Sequence, residues 1–581
     1  MESIFRTTSY PIKTLIDNIG YGIVALPDIQ RPFVWDSTQV RDLFDSIYRG
    51  FPTGYLLFWD NALDPNAKII GDNEKKSSPK SLIIDGQQRL TALFTTIKAI
   101  PVLNANFVRK RIVIAFNPLT ETFEVSNPAI DKNAEYVSDI SVLFKDDFKE
   151  RAFINSFINN IRKVRELHDE EEEKIDLNIS AVRTIINYSF TILEVSADID
   201  EETVANIFVR VNSKGVVLKQ SDFVLTLLSV FWDEGRKAIE QFCYNSRYKF
   251  DENKPSPFNP IVKADSEGIL KSIIGFGFKR GRMKDVYSLL RGRDFETREF
   301  NKDLQIKRID EFKDYLSKTL KIDTWLYFIN LIQSLGFQSQ SLITSKTNFF
   351  YSYAFYLIGK YNFDIKFKEL DKIISKLFLF GAITSRYSGS SETIYDGDLR
   401  VIINAKDGQD FIDILSKIIH NEVTDDFWNI TAPSLLESSS ARNPLSLIFT
   451  AAQIKNNVNL LFSDNKIANL FNPLLIPNKS LLDKHHIFPK GYLNRIDIKD
   501  LISQNQVANF VYLGFKENID ISSKAPKDYF PEYIKEPSNE IHEEFKNHAI
   551  PPNILDLTYD EFLKERRKLM AKYIKEYFEK I

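Results

Sequence analysis

At 581 residues the chain is too long for a single hydrophobic core, and 43% hydrophobic with 27% charged residues is the balance of a folded, multidomain protein. A net charge of −3 supplies no global attraction for nucleic acid, so any DNA contact has to come from local basic surface. The single cysteine, Cys243, excludes intramolecular disulfides and cysteine-rich zinc sites. No uncharged apolar run reaches the roughly 18 residues that span a bilayer, and MESIFRTTSYPIK lacks a signal-peptide pattern, so a cytoplasmic protein with no membrane role is expected.

The first 115 or so residues mix β-type runs (GYLLFW, KSLIID, RIVIAF) with a helix over 37–48, where Val40, Leu43, Phe44 and Ile47 recur at helical spacing. Gln30, Arg31 and Trp35 compress an amide, a guanidinium and an aromatic into one short segment, PDIQRPFVW. The run KSLIID ends in Asp85-Gly86-Gln87-Gln88-Arg89, and a helix follows with Leu90, Leu93, Phe94 and Ile97 on one face. A strand, a glycine turn and a helix start present free backbone N–H groups and a positive dipole end, the elements that bind phosphate. Arg89 adds a fixed charge, and Asp85 is a candidate Mg²⁺ ligand or water-positioning carboxylate. A turn that binds nothing satisfies the same pattern.

The acidic run RELHDEEEEK reads as a solvated helix end or loop. NYSFTILEVS is a further β-run expected to join the same α/β domain, and FVRVNSKG, with Asn212 and Gly215, follows it. From about 236 to 420 the pattern is helical, and the aromatics of TWLYFINLIQSL and NFFYSYAFYLIGKYNF sit at core spacing. Lys279 to Arg308 holds ten Lys or Arg against five Asp or Glu, either a solvated helix pair or a phosphate-contacting surface. The loop Ser385 to Ser391 has the small polar residues to wrap a phosphate or simply to turn the chain. After about 430 come a loop rich in Ser, Asn and Pro, the segment KHHIFPK, a stretch of short strands, and a charged helix from Tyr559 to Lys580.

KHHIFPK places two of the six histidines, His485 and His486, side by side before Pro489, and NQVANFVYLGFKEN follows downstream. Phosphodiester hydrolysis needs a base to activate water and a divalent ion to neutralise charge on the phosphate and the leaving oxygen. Histidine suits the first role, and His and Asn side chains supply metal ligands. The pattern HHI-x-P, then Asn509 and then Asn518 nine residues on, resembles the HNH, or ββα-metal, nucleases. The resemblance implies that His486 is the general base, that His485 and Asn518 hold Mg or Mn, and that Asn509 braces the catalytic loop. Many members carry Asp where His485 stands. Adjacent strand residues point to opposite faces, so His485 needs irregular backbone to share the metal, and Asp483 is the alternative ligand.

P-x-x-QRP-x-VW, I-DGQQR-L-T-L and F-x-R-x-N-x-x-G-x-x-L together resemble the ParB/sulfiredoxin-like domain of GmrSD-type restriction enzymes, which join it to a C-terminal HNH domain in the order found here. The implied protein is an α+β multidomain, modification-dependent (type IV) restriction endonuclease, with SspE-like proteins among its relatives. Its expected domains are a ParB/sulfiredoxin-like nucleotide-binding and sensor domain over 1–235, a helical scaffold over 236–425 and an HNH domain over 426–581. Asp85, Gly86, Gln87, Gln88, Arg89, Asn212 and Gly215 would bind and hydrolyse GTP, UTP or ATP. Gln30, Arg31 and Trp35 would either read the DNA mark or line the nucleotide pocket. The expected partners are double-stranded, modified DNA and a nucleotide, with homo-oligomer formation left open. The rival reading is a ParB-like, nucleotide-gated DNA clamp without nuclease activity, which has no use for His486 and Asn518; a nuclease aimed at self nucleic acid is the other.

Overall fold

The computed structural model describes residues 4–21, 23–25, 33, 35–60, 81–103, 109–196, 199, 207, 232–248, 255–290, 292–294, 297, 301–472, 485–534 and 539–581. It is an α+β structure that divides into two compact units, Met1–Arg236 and Lys237–Ile581.

The first unit is built on a five-stranded mixed sheet. Its strand order is Phe5–Pro11, Ser189–Val195, Leu56–Trp59, Ser81–Asp85, Val24–Ala25. The two longest strands run antiparallel, with Phe5 opposite Val195. Leu56–Trp59 pairs in parallel with Ser189–Val195 and antiparallel with Ser81–Asp85, setting Leu57 opposite Asp85. The β-runs GYLLFW, KSLIID and NYSFTILEVS thus lie side by side, whereas RIVIAF forms a separate hairpin, Ile114–Asn117 with Thr122–Val125. Helix Ser37–Tyr48 begins at a reciprocal cap between Asp36 and Gln39 and buries Val40, Leu43, Phe44 and Ile47, as their spacing requires. These side chains share a core with Ile12, Ile83, Leu93 and Phe190. The acidic run opens helix Asp169–Thr184, where four carboxylates in the first turn face the positive end of the helix dipole. Arg165 holds the Glu171 carboxyl down to about 2.

The second unit is predominantly helical. Helix Lys346–Tyr361 is apolar around most of its circumference and is buried accordingly, with Trp325 edge-on to Tyr353 at 5.2 Å and Tyr351 stacked on Tyr395 at 3.6 Å. The aromatics of this region are core. Arg386, in the loop after helix Phe367–Ile383, grips both oxygens of Asp398 (2.6 and 3.0 Å) and also pairs with Glu422, so the loop's guanidinium is committed to internal carboxylates. The basic stretch is partly spent in the same way: the Lys279 ammonium bonds to the Phe276 carbonyl, and Arg308 pairs with Glu311 at 2.8 Å. A short π-helix, Phe427–Thr431, precedes helix Pro444–Lys455, and the final helix Tyr559–Lys580 packs along both.

The stretch of short strands expected after KHHIFPK is mainly helical. Only His485–His486 and Phe510–Val511 pair, antiparallel, while Lys490–Arg495, Leu501–Gln504, Phe515–Ile521, Pro526–Tyr533 and Asn539–Asn547 are helices. Apolar runs this short satisfy strand and helix periods alike, so their pattern does not decide between the two forms.

Candidate functional site

The two histidines of KHHIFPK form a two-residue strand, with His486 opposite Phe510 and His485 opposite Val511. The chain then bends at Ile487-Phe488 before helix Lys490–Arg495, and one side chain holds the bend. Asn509, fully buried, accepts from the Phe488 N–H (2.8 Å) and donates to the carbonyls of Phe488 (3.1 Å) and Gln504 (3.2 Å), while its own carbonyl accepts from Ile487 N–H at 2.8 Å. It sits in a 3-10 turn, Val507–Asn509, immediately ahead of the second strand. Tyr529 adds a bond to the Ile487 carbonyl (2.8 Å), and Arg566 of the last helix donates to the Ala508 carbonyl at 2.7 Å. The histidine loop is therefore fixed from three sides by groups whose loss would leave buried polar atoms unsatisfied.

His486 itself lies against the Phe510 ring, with centroids 4.6 Å apart, and its Nε2–H donates to the Asn505 side-chain oxygen at 3.1 Å. Burial depresses its pKa to about 4; the Asn505 bond opposes the shift, and Lys490 and His485 assist it. The ring is thus uncharged at neutral pH, and with Nε2 committed to Asn505 the lone pair rests on Nδ1. A neutral, oriented imidazole is the form that accepts a proton, while the burial that keeps it neutral also disfavours the imidazolium, so a negative charge beside the ring, such as a bound phosphate, would strengthen it as a base.

Asn518 lies in helix Phe515–Ile521, which follows the second strand after Tyr512, Leu513 and Gly514; helices Lys490–Arg495 and Leu501–Gln504 and the 3-10 turn separate the two strands, so the local order is strand, two short helices, strand, helix. It is half-buried, and its amide makes no side-chain hydrogen bond among the described residues. The described residues hold no cluster of three His, Cys, Asp or Glu side chains, so an ion here would draw on imidazole and amide donors. Asp483 lies outside the described residues. Asn505 is the residue that sequence reasoning missed. Its signal was its place four residues before Asn509, but only the folded loop brings it to His486.

In the first unit, strand Ser81–Asp85 leads through Gly86 into helix Gln87–Ile97. Gly86 caps that helix at φ 89°, a left-handed conformation, and a β-carbon there would lie 2.1 Å from a Leu56 methyl. Both constraints call for glycine. Arg89, largely buried, donates to the Thr53 carbonyl (2.6 Å) and to the Asp85 carboxylate (3.2 Å). Burial lowers the guanidinium pKa and Asp85 partly restores it. Gly54, at φ 85°, leaves room for this arrangement, since a β-carbon there would stand 2.7 Å from Arg89 Nη1. Gln88 is buried, whereas Gln87 is half-buried at the start of the helix. The turn therefore gathers Asp85, Gly86, Gln87, Gln88 and Arg89 at one helix N-terminus. Trp35 packs, partly buried, against the core of this unit. Gln30, Arg31, Asn212 and Gly215 lie outside the described residues.

The chain is 24% identical over 628 aligned positions to the uncharacterized protein MJ0686 of Methanocaldococcus jannaschii, an alignment covering 98% of this chain and 99% of that one. No described helix is long and apolar enough to cross a membrane. Residues 12–229, which include DGQQR and four of the five strands of the sheet around it, match the model of the GmrSD restriction endonuclease N-terminal domain, and this supports a relationship to GmrSD-type restriction endonucleases.

Proposed function

We propose that the chain is a modification-dependent DNA endonuclease of antiphage defence, which couples nucleoside triphosphate binding and hydrolysis at the DGQQR turn to metal-dependent nicking or cleavage around His486. The observation that carries the nuclease half is the geometry of His486, held by Asn505 on a strand pair clamped by Asn509, with helix Phe515–Ile521 three residues beyond the second strand. The family match over 12–229 supports the restriction half.

His486 takes the proton from the attacking water at Nδ1, and Asn505 keeps the ring from turning as charge develops on it. Asn509 keeps the loop carrying His486 at a fixed distance from the strand behind it. His485 and Asn518 offer nitrogen and amide-oxygen donors, a neutral set compatible with a divalent ion; a bound Mg²⁺ or Mn²⁺ would supply charge neutralisation on the scissile phosphate and the leaving oxygen. Asn518 suits the role because its amide is not otherwise engaged among the described residues. At the other end, the Gly86 turn opens an 11-residue helix whose first N–H groups would meet a phosphate chain, with Arg89 close by to supply a positive charge.

The purified chain, mixed with supercoiled plasmid, a triphosphate and Mg²⁺ or Mn²⁺, is expected to convert the plasmid to nicked or linear form, and EDTA to stop the conversion. Hydrolysis of the triphosphate without any cutting of modified or unmodified DNA would instead favour the nucleotide-gated clamp.

A further inference from the structure

Helices Phe367–Ile383 and Gly408–Glu422, the π-helix Phe427–Thr431 and the end of the last helix enclose a cavity of about 370 Å³ in the second unit. That volume falls within the roughly 300–1,000 Å³ of small-molecule sites. Its inner wall is apolar and aromatic. Trp428, on the π-helix, and Phe578 are both buried, with ring centroids 6.0 Å apart. π-helical turns inside helical proteins recur at functional positions, and here the turn is what carries the indole that lines the cavity.

The rim is charged in an uneven way. Lys372 and Lys376 stand one turn apart on the same helix, and neither has a carboxylate within ion-pair distance among the described residues. The Lys376 ammonium lies 5.9 Å from the Phe578 ring; burial and then Lys372 lower its pKa, and the Glu579 carboxylate partly offsets them. Two unpaired ammoniums this close repel each other, a cost that an anion between them removes. His420 Nδ1–H donates to the Ser416 carbonyl at 2.7 Å, leaving Nε2 as a further polar atom at the rim. Opposite in sign, Glu369 and Glu579 also line the opening.

We infer that this cavity is a binding site for a nucleoside monophosphate, its base against Trp428 and Phe578 and its phosphate between Lys372 and Lys376. A phosphate monoester carries about −1.5 to −2 charges at neutral pH, which two lysines match. The carboxylates of Glu369 and Glu579 disfavour the additional charge of a triphosphate and offer acceptors to ribose hydroxyls or base N–H groups. The site is thereby distinct in ligand charge from the DGQQR turn, and it does not depend on whether the chain cuts DNA.

The test is calorimetric titration of the full chain with AMP, inorganic phosphate, adenosine and benzoate, alongside the tryptophan fluorescence of each mixture. AMP is expected to bind with a Kd below about 1 mM, tighter than the other three, and to quench fluorescence. Lys372→Met with Lys376→Met keeps the apolar stems and is expected to weaken AMP at least 10-fold; Trp428→Phe is expected to abolish the quench. If the double variant unfolds, Lys372→Met alone, at an exposed position, is expected to weaken AMP about 3-fold or more. AMP affinity unchanged in a folded lysine variant, no AMP binding at millimolar concentration, or benzoate binding as tightly as AMP would each overturn the assignment.

Discussion

His486→Ala is expected to lower DNA cleavage by about 100-fold or more while leaving the fold in place, the magnitude expected for the loss of a positioned general base. Among the described residues the side chain bonds only to Asn505 and packs against the Phe510 ring, so its removal opens a small, partly solvated gap and leaves the bonds that hold the loop intact. Thermal unfolding should therefore move by a few degrees at most, and circular dichroism should be unchanged. Asn509→Ala is the contrasting control: it strips partners from the Phe488 N–H and the Phe488 and Gln504 carbonyls together, so activity and stability should fall in step. Plasmid cutting at the wild-type rate by folded His486→Ala protein would remove His486 from the chemistry.

The second large effect belongs to Arg89. Arg89→Met keeps the buried stem and deletes the charge, and triphosphate hydrolysis is expected to fall about 100-fold, the scale of losing one preorganised donor to a developing negative charge. The difficulty is that Arg89 is already engaged, at 3.2 Å from Asp85 and 2.6 Å from the Thr53 carbonyl. Removing it leaves a partly buried carboxylate and a carbonyl without their partner, and that alone destabilises the unit. Combining Arg89→Met with Asp85→Asn separates the two roles: the pair should recover most of the lost stability yet none of the hydrolysis. Hydrolysis undiminished in Arg89→Met would make DGQQR a structural turn.

Much of the framework was legible in the residues. Helix Ser37–Tyr48, read from its apolar spacing, and the charged helix Tyr559–Lys580 have the bounds expected of them, because local pattern and burial agree there. The DGQQR turn was legible for a sharper reason: Gly86 occupies a left-handed cap against Leu56 that other residues cannot fill. Sheet order was not, since Ser189–Val195 inserts between Phe5–Pro11 and Leu56–Trp59, and no local signal reports pairings between segments so far apart in sequence. Nor did the sequence single out Phe5–Pro11 as a strand. The short strands expected after Pro489 became helices because runs of four to nine residues carry too little periodicity to choose. Asn505 escaped notice because its meaning lies in a hydrogen bond across 19 residues. The loop Ser385 to Ser391 looked able to hold a phosphate until Asp398 and Glu422, remote in sequence, proved to occupy its arginine.

Modification-dependent restriction is the central claim, and it is tested most directly by challenging cells that express the chain, or its His486→Ala variant, with phage carrying modified or unmodified DNA, side by side. The expected result is a drop in plating efficiency confined to one class of modified phage and abolished by His486→Ala. Equal restriction of modified and unmodified phage, or protection that persists in the variant, would contradict it.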